Sequence, residues 1–582
     1  MPILRLRIAT VAVVGAAAVF LLLSLAAESA FAQQVAPLLR GPGETRPELP
    51  PLDLDAEDAP IPGRTLPQIH IPEDDSAASA LSGGVISIKA FHFSGNLALS
   101  DADLEVVTQA YLGEERRYST VLEARDRVTR AYVDAGYISS GAVLPAQDYR
   151  DGVVEITIIE GQLTSIDVTT DGRLRPRYFT SRLEANGGTL NVNTLRESLR
   201  RLKRDPRITA VAAELIPGEE RGESMLSIAV DEAVPYWASA SFNNYAPVSI
   251  GEYRGRFRAG HRNVSGWGDT WSTAYSVAEG LHDVDVRVEV PLNRWDTSLE
   301  IWMRRAWSEI IEDSLKALDI ESKTEAYGFR IRQPVLRERG QEARVFFAGD
   351  WKRGRGFLAG AAGIDPDDPN EGESTVAVLR AGGDYLLRLR RRAFAARITA
   401  SVGLDILDAT PLQQNMMTLE KFPDGKFVSG LIQIQAVEYL PWYDLRIQSR
   451  IDAQVADAHL LGLEQFALGG HNSVRGLREN LLVRDQGVVG SVELRIPLPH
   501  VEPVERLELG LFCDAGYGRD FAGSGSGARL VSLGVGIHAD IWRHARIAIE
   551  WAGKVEKTGG VTGDKKALQD DGLHFSMQVR FP

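Results

Sequence analysis

The sequence predicts a transmembrane β-barrel of about 16 antiparallel strands, preceded by two small α+β modules. Three observations carry that expectation. From Tyr236 to the end, apolar residues recur at every second position, and no helical period survives. Before Tyr236 one order of strands and helices occurs twice in succession, as in a tandem module. Past residue 32 no uncharged apolar run approaches the ~20 residues that a spanning helix requires, which argues against a helical membrane protein but not against a barrel, whose strands carry only half-apolar signals.

Residues 1–32 read as a secretory signal. Arg5 and Arg7 form a basic start, Ile8 to Ala27 an apolar core, and Ala30-Phe31-Ala32 a cleavage site before Gln33. Residues 33–84 are rich in Pro, Gly, Asp and Glu and read as a linker or mobile arm. The stretch Gln33 to Leu39, broken by Pro37, offers little for a helix that would plug a pore.

Residues 85–161 form the first module. Alternation of Val85, Ser87 and Lys89 with Ile86, Ile88 and Ala90 marks a strand. Ser100 with Asp103 begins a helix that stops at Gly113, and a second helix over 121–135 stops at Gly136. Strands follow at 141–144 and 153–160, giving the order β-α-α-β-β. Residues 162–233 repeat it, with a strand at 166–168, a helix from Arg177 to Ala185, and a helix to Lys203 capped by Asn193. Strands at 208–215 and 225–230 close the second module.

Residues 234–582 form the predicted barrel. Val284, Val286, Val288 and Val290 alternate with Asp285, Arg287 and Glu289, and Leu573, Phe575, Met577, Val579 and Phe581 alternate with polar residues. A soluble sandwich would show the same period. The aromatics Tyr517, Trp551 and Phe581 on the apolar face and sparse turn signals favour the barrel. Roughly 345 residues, at about 20 to 22 per strand and connection, accommodate about sixteen strands. Cys513 is the sole cysteine, so no intramolecular disulfide is possible, and stability must come from packing and sheet closure.

Between an alternating strand at 445–455 and another at 490–496 lies a long Gly-rich loop with Val474-Arg475-Gly476 near its centre. On the strand that includes Phe512-Cys513-Asp514-Ala515-Gly516, alternation separates Leu509, Leu511 and Cys513 from Glu508, Phe512 and Asp514.

These motifs resemble a known family. The first module carries Gly136-Tyr137, Leu144-Pro145-Ala146-Gln147 and Glu160-Gly161, a pattern similar to the ShlB-type POTRA domain, and Phe91-His92-Phe93-Ser94-Gly95-Asn96 looks like its opening strand and turn. Asp205-Pro206 and Leu215-Ile216-Pro217-Gly218 resemble a second POTRA. With the barrel, the chain resembles the TpsB outer-membrane transporters of two-partner secretion, the ShlB/FhaC/HecB-type hemolysin secretion/activation proteins of the BamA-like superfamily.

The resemblance implies a place in the outer membrane of a Gram-negative bacterium, in contact with its lipid, with the POTRA domains in the periplasm. It implies a secreted, hemolysin- or adhesin-like β-helical exoprotein as partner. The barrel assembly machinery would read the terminal Phe581. It also implies that the loop folds back into the barrel and that Arg475 meets Asp514 on the lumenal strand face beside Phe512 and Gly516. Arginine suits such a contact because its guanidinium stays charged and grips a carboxylate with two parallel bonds. Leu477 departs from the pattern, which usually has an aromatic there. In the same superfamily the rival reading is a factor that inserts other barrels, and a passive porin or receptor would not need the POTRAs.

The net charge of −14 argues against nucleic acid as a partner. No enzyme signature, metal-ligand spacing or nucleotide loop is present, so no cofactor is expected. Gly523-Ser524-Gly525-Ser526-Gly527 lacks a following Lys-Ser/Thr and reads as a flexible turn. N-terminal sequencing of the mature protein should begin at Gln33. A chain that still carries Met1 would instead mark the segment as a retained anchor.

Overall fold

A computed structural model describes residue 49 and residues 85–184, 188–316, 319–338, 340–358, 361–362, 372–412, 423–441, 444–499, 502–521, 527–542, 544–557 and 567–581. The predicted signal, the arm with its weak plug helix, and most of the turn at 523–527 lie outside the described residues.

The first module opens with Val85–Ile88 and Ala90–Ser94. The latter pairs in parallel with Val153–Ile159, which pairs antiparallel with Gly141–Val143. Ser100 caps the helix Asp101–Thr108 through a reciprocal bond with Asp103, and the longer helix Tyr118–Asp134 buries Val121, Val128 and Tyr132 against the sheet. One expectation is corrected. Gly113 ends no helix but starts a strand, Gly113–Arg117, antiparallel to Val85–Ile88. Glu114, Glu115, Arg116 and Arg117 hid it, because this strand carries no apolar residue and so no alternation, while its partner strand supplies the buried Ile88.

The second module repeats the arrangement. Gln162–Thr170 lies parallel to Glu223–Glu232, which is antiparallel to Ile208–Pro217, and the helices Pro176–Leu183 and Val192–Lys203 cover a core of Phe179, Leu195, Leu202, Leu215 and Leu226. The helix cap is Asn191, not Asn193. Its side chain accepts a bond from the Asn193 N–H at 2.9 Å, and the buried Val192 between the two is already the first helical residue.

The residues of the first module's motif join the two modules. The Glu160 carboxylate accepts bonds from the Leu97 and Ala98 amides at 2.7 and 2.6 Å, from the Tyr132 hydroxyl at 2.9 Å, and from Thr189 of the second module. Burial and the neighbouring carboxylate hold the Tyr132 phenol above its ordinary range, so it stays a donor. The Gly136 and Gly161 carbonyls accept from Val192 and Leu190 at 2.9 and 2.7 Å. Gly136 has φ +98°, and a Cβ on Gly161 would lie 1.9 Å from the Ser139 hydroxyl, so neither position admits a side chain. Tyr137 meets Tyr132 edge-on at 5.8 Å, and Leu144 packs on the same core. After Pro145, the Gln147 amide bonds both backbone groups of Glu155 at 2.7 Å, standing in for a missing strand neighbour.

From Tyr236–Asn243 to Leu573–Phe581 the chain forms a closed antiparallel barrel of sixteen strands, with a two-residue stub, Ala361–Ala362, among the described residues. Closure pairs Ser576 with Asn243 through to Phe581 with Ala238. Alternation sorts the faces. Asp283, Asp285 and Glu300 are buried inward, while Ile301, Ile398, Ile537, Ile549 and the terminal Phe581 are exposed outward. Many inward charges are paired, as in Arg304–Asp283 at 2.7 Å and Arg332–Glu300 at 2.9 Å. Two short helical turns among the described residues, Val248–Ile250 and Asp313–Lys316, interrupt the strands, although the sequence shows no helical period there.

Glu160→Ala removes the acceptor shared by two amides, a phenol and a hydroxyl. It should destabilise the joint by about 1–3 kcal/mol. The check is faster amide hydrogen exchange at Leu97 and Ala98 in the full-length protein.

Candidate functional site in the barrel lumen

Strands Arg446–Ala456 and Gln486–Pro497 are hydrogen-bonded neighbours in the wall, yet a long loop connects them. Within it Phe466–Leu468 pairs antiparallel with Leu482–Arg484, so the loop is a pinned hairpin and not a free tether. Its apolar residues Phe466, Leu468, Val474, Leu477, Leu481 and Leu482 are buried with Val489 and Leu530 of the wall. Leu477, which departs from the family pattern, is 1% exposed. An aliphatic side chain fills that position by packing alone, with no ring to stack.

Arg475 at the tip is buried and every guanidinium nitrogen is engaged. Its Nε and Nη2 donate to the two oxygens of Asp514 at 2.8 and 2.9 Å, the bidentate fork that arginine geometry favours. Its Nη1 donates to Glu493 at 2.7 Å and to Glu550 at 2.9 Å, and Nη2 also reaches the Ser491 hydroxyl at 3.1 Å. The Arg475 amide donates to Asp514 at 3.0 Å, so the carboxylate holds backbone and side chain together. The guanidinium carbon lies 3.4 Å above the Phe512 ring, a cation–π contact. The wall strand Val504–Arg519 thus turns Phe512, Asp514 and Gly516 inward, and Asp514 is 0% exposed.

Small residues make the approach possible. A Cβ on Gly516 would lie 3.0 Å from Val474 Cγ2, so the glycine seats that valine. Gly476 has φ +81°, and a Cβ there would come within 2.6 Å of Ala552.

The structure brings Val474, Arg475 and Gly476 to Asp514, Phe512 and Gly516. Gly136, Tyr137, Leu144, Pro145, Gln147, Glu160 and Gly161 lie in the first module, and Phe581 lies on the outer barrel face. Sequence reasoning missed Glu493, Ser491, Glu550 and the histidines around them. The parity of Ser491, Glu493 and Arg495 already placed those three on the polar face of their strand. Nothing local singled out Glu550.

Surrounding charges complete the site. Arg495 Nε donates to Glu493 at 2.7 Å, His538 Nε2 lies 3.2 Å from the same carboxylate, and His471 Nδ1 lies 2.9 Å from Glu550. Glu493, His538 and Glu550 bring three ligand-type atoms within 4.8 Å of one another, a grouping able to hold a metal ion. The Arg475 guanidinium already bonds both of those carboxylates and serves as their cation. The arrangement binds and positions a chain segment.

The profile of the haemolysin secretion/activation protein family ShlB/FhaC/HecB matches residues 222–539, and that of the ShlB-type POTRA domain matches residues 86–161. The outer membrane transporter CdiB of Dickeya dadantii is 21% identical over 426 residues, covering 72% of this chain and 74% of the relative. The heme/hemopexin transporter protein HuxB of Haemophilus influenzae is 22% identical over 466 residues, covering 75% and 77%. Among solved structures, CdiB from Escherichia coli superimposes with a TM-score of 0.64 at 17% identity, over 89% of this chain and 94% of that one. BamA from Haemophilus ducreyi lacking POTRA domains 1–3 gives 0.51 at 12% identity, over 85% of this chain and 100% of that one. At these identities the structures share the fold.

Gly476→Ala forces a side chain into a left-handed backbone against Ala552. It should cost about 1–3 kcal/mol. The measurement is the temperature at which the purified barrel loses its compact electrophoretic mobility, which is expected to fall.

Proposed function

The chain belongs to the haemolysin secretion/activation protein family ShlB/FhaC/HecB, and on that premise we propose that its lumenal loop is the element that opens to let a client through. The protein is an outer-membrane transporter of two-partner secretion, with POTRA domains in the periplasm, and it exports a partner exoprotein across the outer membrane. Family membership favours secretion over the barrel-assembly reading.

In this reading the client reaches the POTRA domains extended. An open sheet edge beside a helix recognises extended backbone through main-chain hydrogen bonds, whatever the side chains. The client is hemolysin- or adhesin-like and becomes β-helical only outside, and that folding gives transport its direction. The protein is then no enzyme, since the step it performs is passage. Phe581, outward-facing on the last strand, is the residue that the assembly machinery reads.

The observation that carries the proposal is the burial of Arg475 among Asp514, Glu493 and Glu550. A buried ion pair adds little net stability, because desolvation offsets its Coulomb gain, but it defines position. Without the guanidinium, three carboxylates face one another with only Arg495, His538 and His471 to offset them.

Arg475→Ala should abolish or cripple client export while the barrel still inserts, as read by client at the cell surface against barrel in the outer membrane. Arg475→Lys should not restore full export, since an ammonium cannot fork across Asp514 and also reach two further carboxylates. Normal export by Arg475→Ala would remove the loop from the mechanism.

A further inference from the structure

The same loop meets the wall a second time, ahead of its tip and with the charges reversed. Leu460 and Leu461 are buried with Val376 and Val378 of the strand Glu373–Leu389. Next to them the buried Glu464 carboxylate accepts both its oxygens' bonds from Arg380 Nη2, at 2.7 and 2.8 Å, and lies 3.1 Å from Lys352 Nζ. Arg380 is itself held in place. Its Nε donates to Asp350 at 2.5 Å and its Nη1 to the Ser401 hydroxyl at 2.8 Å, so three wall strands converge on one loop residue. The Lys352 ammonium also donates to the Leu463 carbonyl at 3.4 Å, which ties the loop backbone to the same point.

The charge balance of this cluster depends on the loop. Arg380 and Lys352 are offset by Asp350 and Glu464, and Glu464 is the only one of the four that the loop supplies. Its withdrawal leaves two cations against one carboxylate. At the tip the loop supplies the cation and the wall the carboxylates, so withdrawal there leaves the opposite excess. A loop carrying one sign at each point fits the lumen in one position only, because sliding either contact to the other brings like charges together.

We propose that Glu464, set against Arg380 and Lys352, is a second positioning anchor of the loop, and that the lumen opens only when this anchor and Arg475 both release. The inference rests on the reading above that the loop opens the lumen. It assigns to Arg380, Lys352 and Glu464 a role in passage that the tip motif does not fill.

The test is single-channel conductance of the purified full-length protein in planar lipid bilayers, comparing wild type with Glu464→Gln, Arg380→Gln, their double variant and Arg475→Ala. Compact electrophoretic mobility verifies each barrel. Glu464→Gln and Arg380→Gln should each raise the open fraction several-fold. The double variant should exceed neither, because both remove one contact. Combining Glu464→Gln with Arg475→Ala should exceed either alone. If Arg475→Ala opens the channel while Glu464→Gln and Arg380→Gln match wild type, the second anchor is refuted and the loop reading stands. If Arg475→Ala also matches wild type, the loop reading fails and takes this inference with it.

Should Glu464→Gln fail to insert, a cross-link gives the same decision. A Cβ on Gly354 would lie 3.6 Å from Leu463 Cδ2, so thiols at Leu463→Cys and Gly354→Cys lie within the span of a short, reducible bis-methanethiosulfonate cross-linker. They are introduced with Cys513→Ser on the Arg475→Ala background. Cross-linking should shut that channel and reduction reopen it. A cross-linked channel that opens as freely as the reduced one overturns the proposal.

Discussion

A guanidinium taken out of water must be met on every side by acceptors, and in this barrel that requirement falls on Arg475. Asp514 receives its fork and its backbone amide, Glu493 and Glu550 take the remaining nitrogen, and Phe512 closes one face. No surface loop could supply such a shell. It exists because three wall strands, carrying Glu493, Asp514 and Glu550, converge on one point of the lumen. Removing one member leaves a buried charge uncompensated, so the shell is held together by mutual need more than by net attraction.

The rest of the loop is arranged around that point. Gly516 and Gly476 clear the approach, Val474 and Leu477 bury beside it, and the short pairing of Phe466–Leu468 with Leu482–Arg484 fixes the direction from which the tip arrives. The wall strands do two jobs at once. Their outward residues suit lipid, and their inward residues form paired charges that can bind a loop and also border a water-filled passage. When the occupying segment withdraws, the ion-pairing residues leave polar wall behind, while Val376, Val378, Val489 and Leu530 lose the apolar cover that the loop gives them.

Much of this was legible in the sequence, for identifiable reasons. Strand parity is rigid, so once Leu511 and Cys513 were assigned outward, Phe512 and Asp514 had to face the lumen. The strand count followed from length because bacterial barrels close with regular strand spacing. Long-range partners were harder. Glu550 lies 75 residues from Arg475 in the chain, and only the closing of the barrel brings them together. Glu464 was invisible for the same reason, since Arg380 lies 84 residues before it. The Gly113–Arg117 strand escaped notice because a run of four charged residues carries no apolar period. The joint between the modules is a similar case. Glu160 and Gly161 were recognised as a pattern, but that their oxygens receive Thr189 and Leu190 of the next module depends on packing between modules, which no periodicity encodes.

The central claim is that the loop occupies the lumen at rest and leaves it when a client enters. Spin labels at Asn472→Cys, an exposed position three residues before Arg475, and at the lipid-facing Ile549→Cys, in a Cys513→Ser background, report that movement as a distance. The account predicts one narrow resting distribution that shifts when a client is stalled in the barrel by a folded fusion. A distribution unchanged by the stalled client would contradict it.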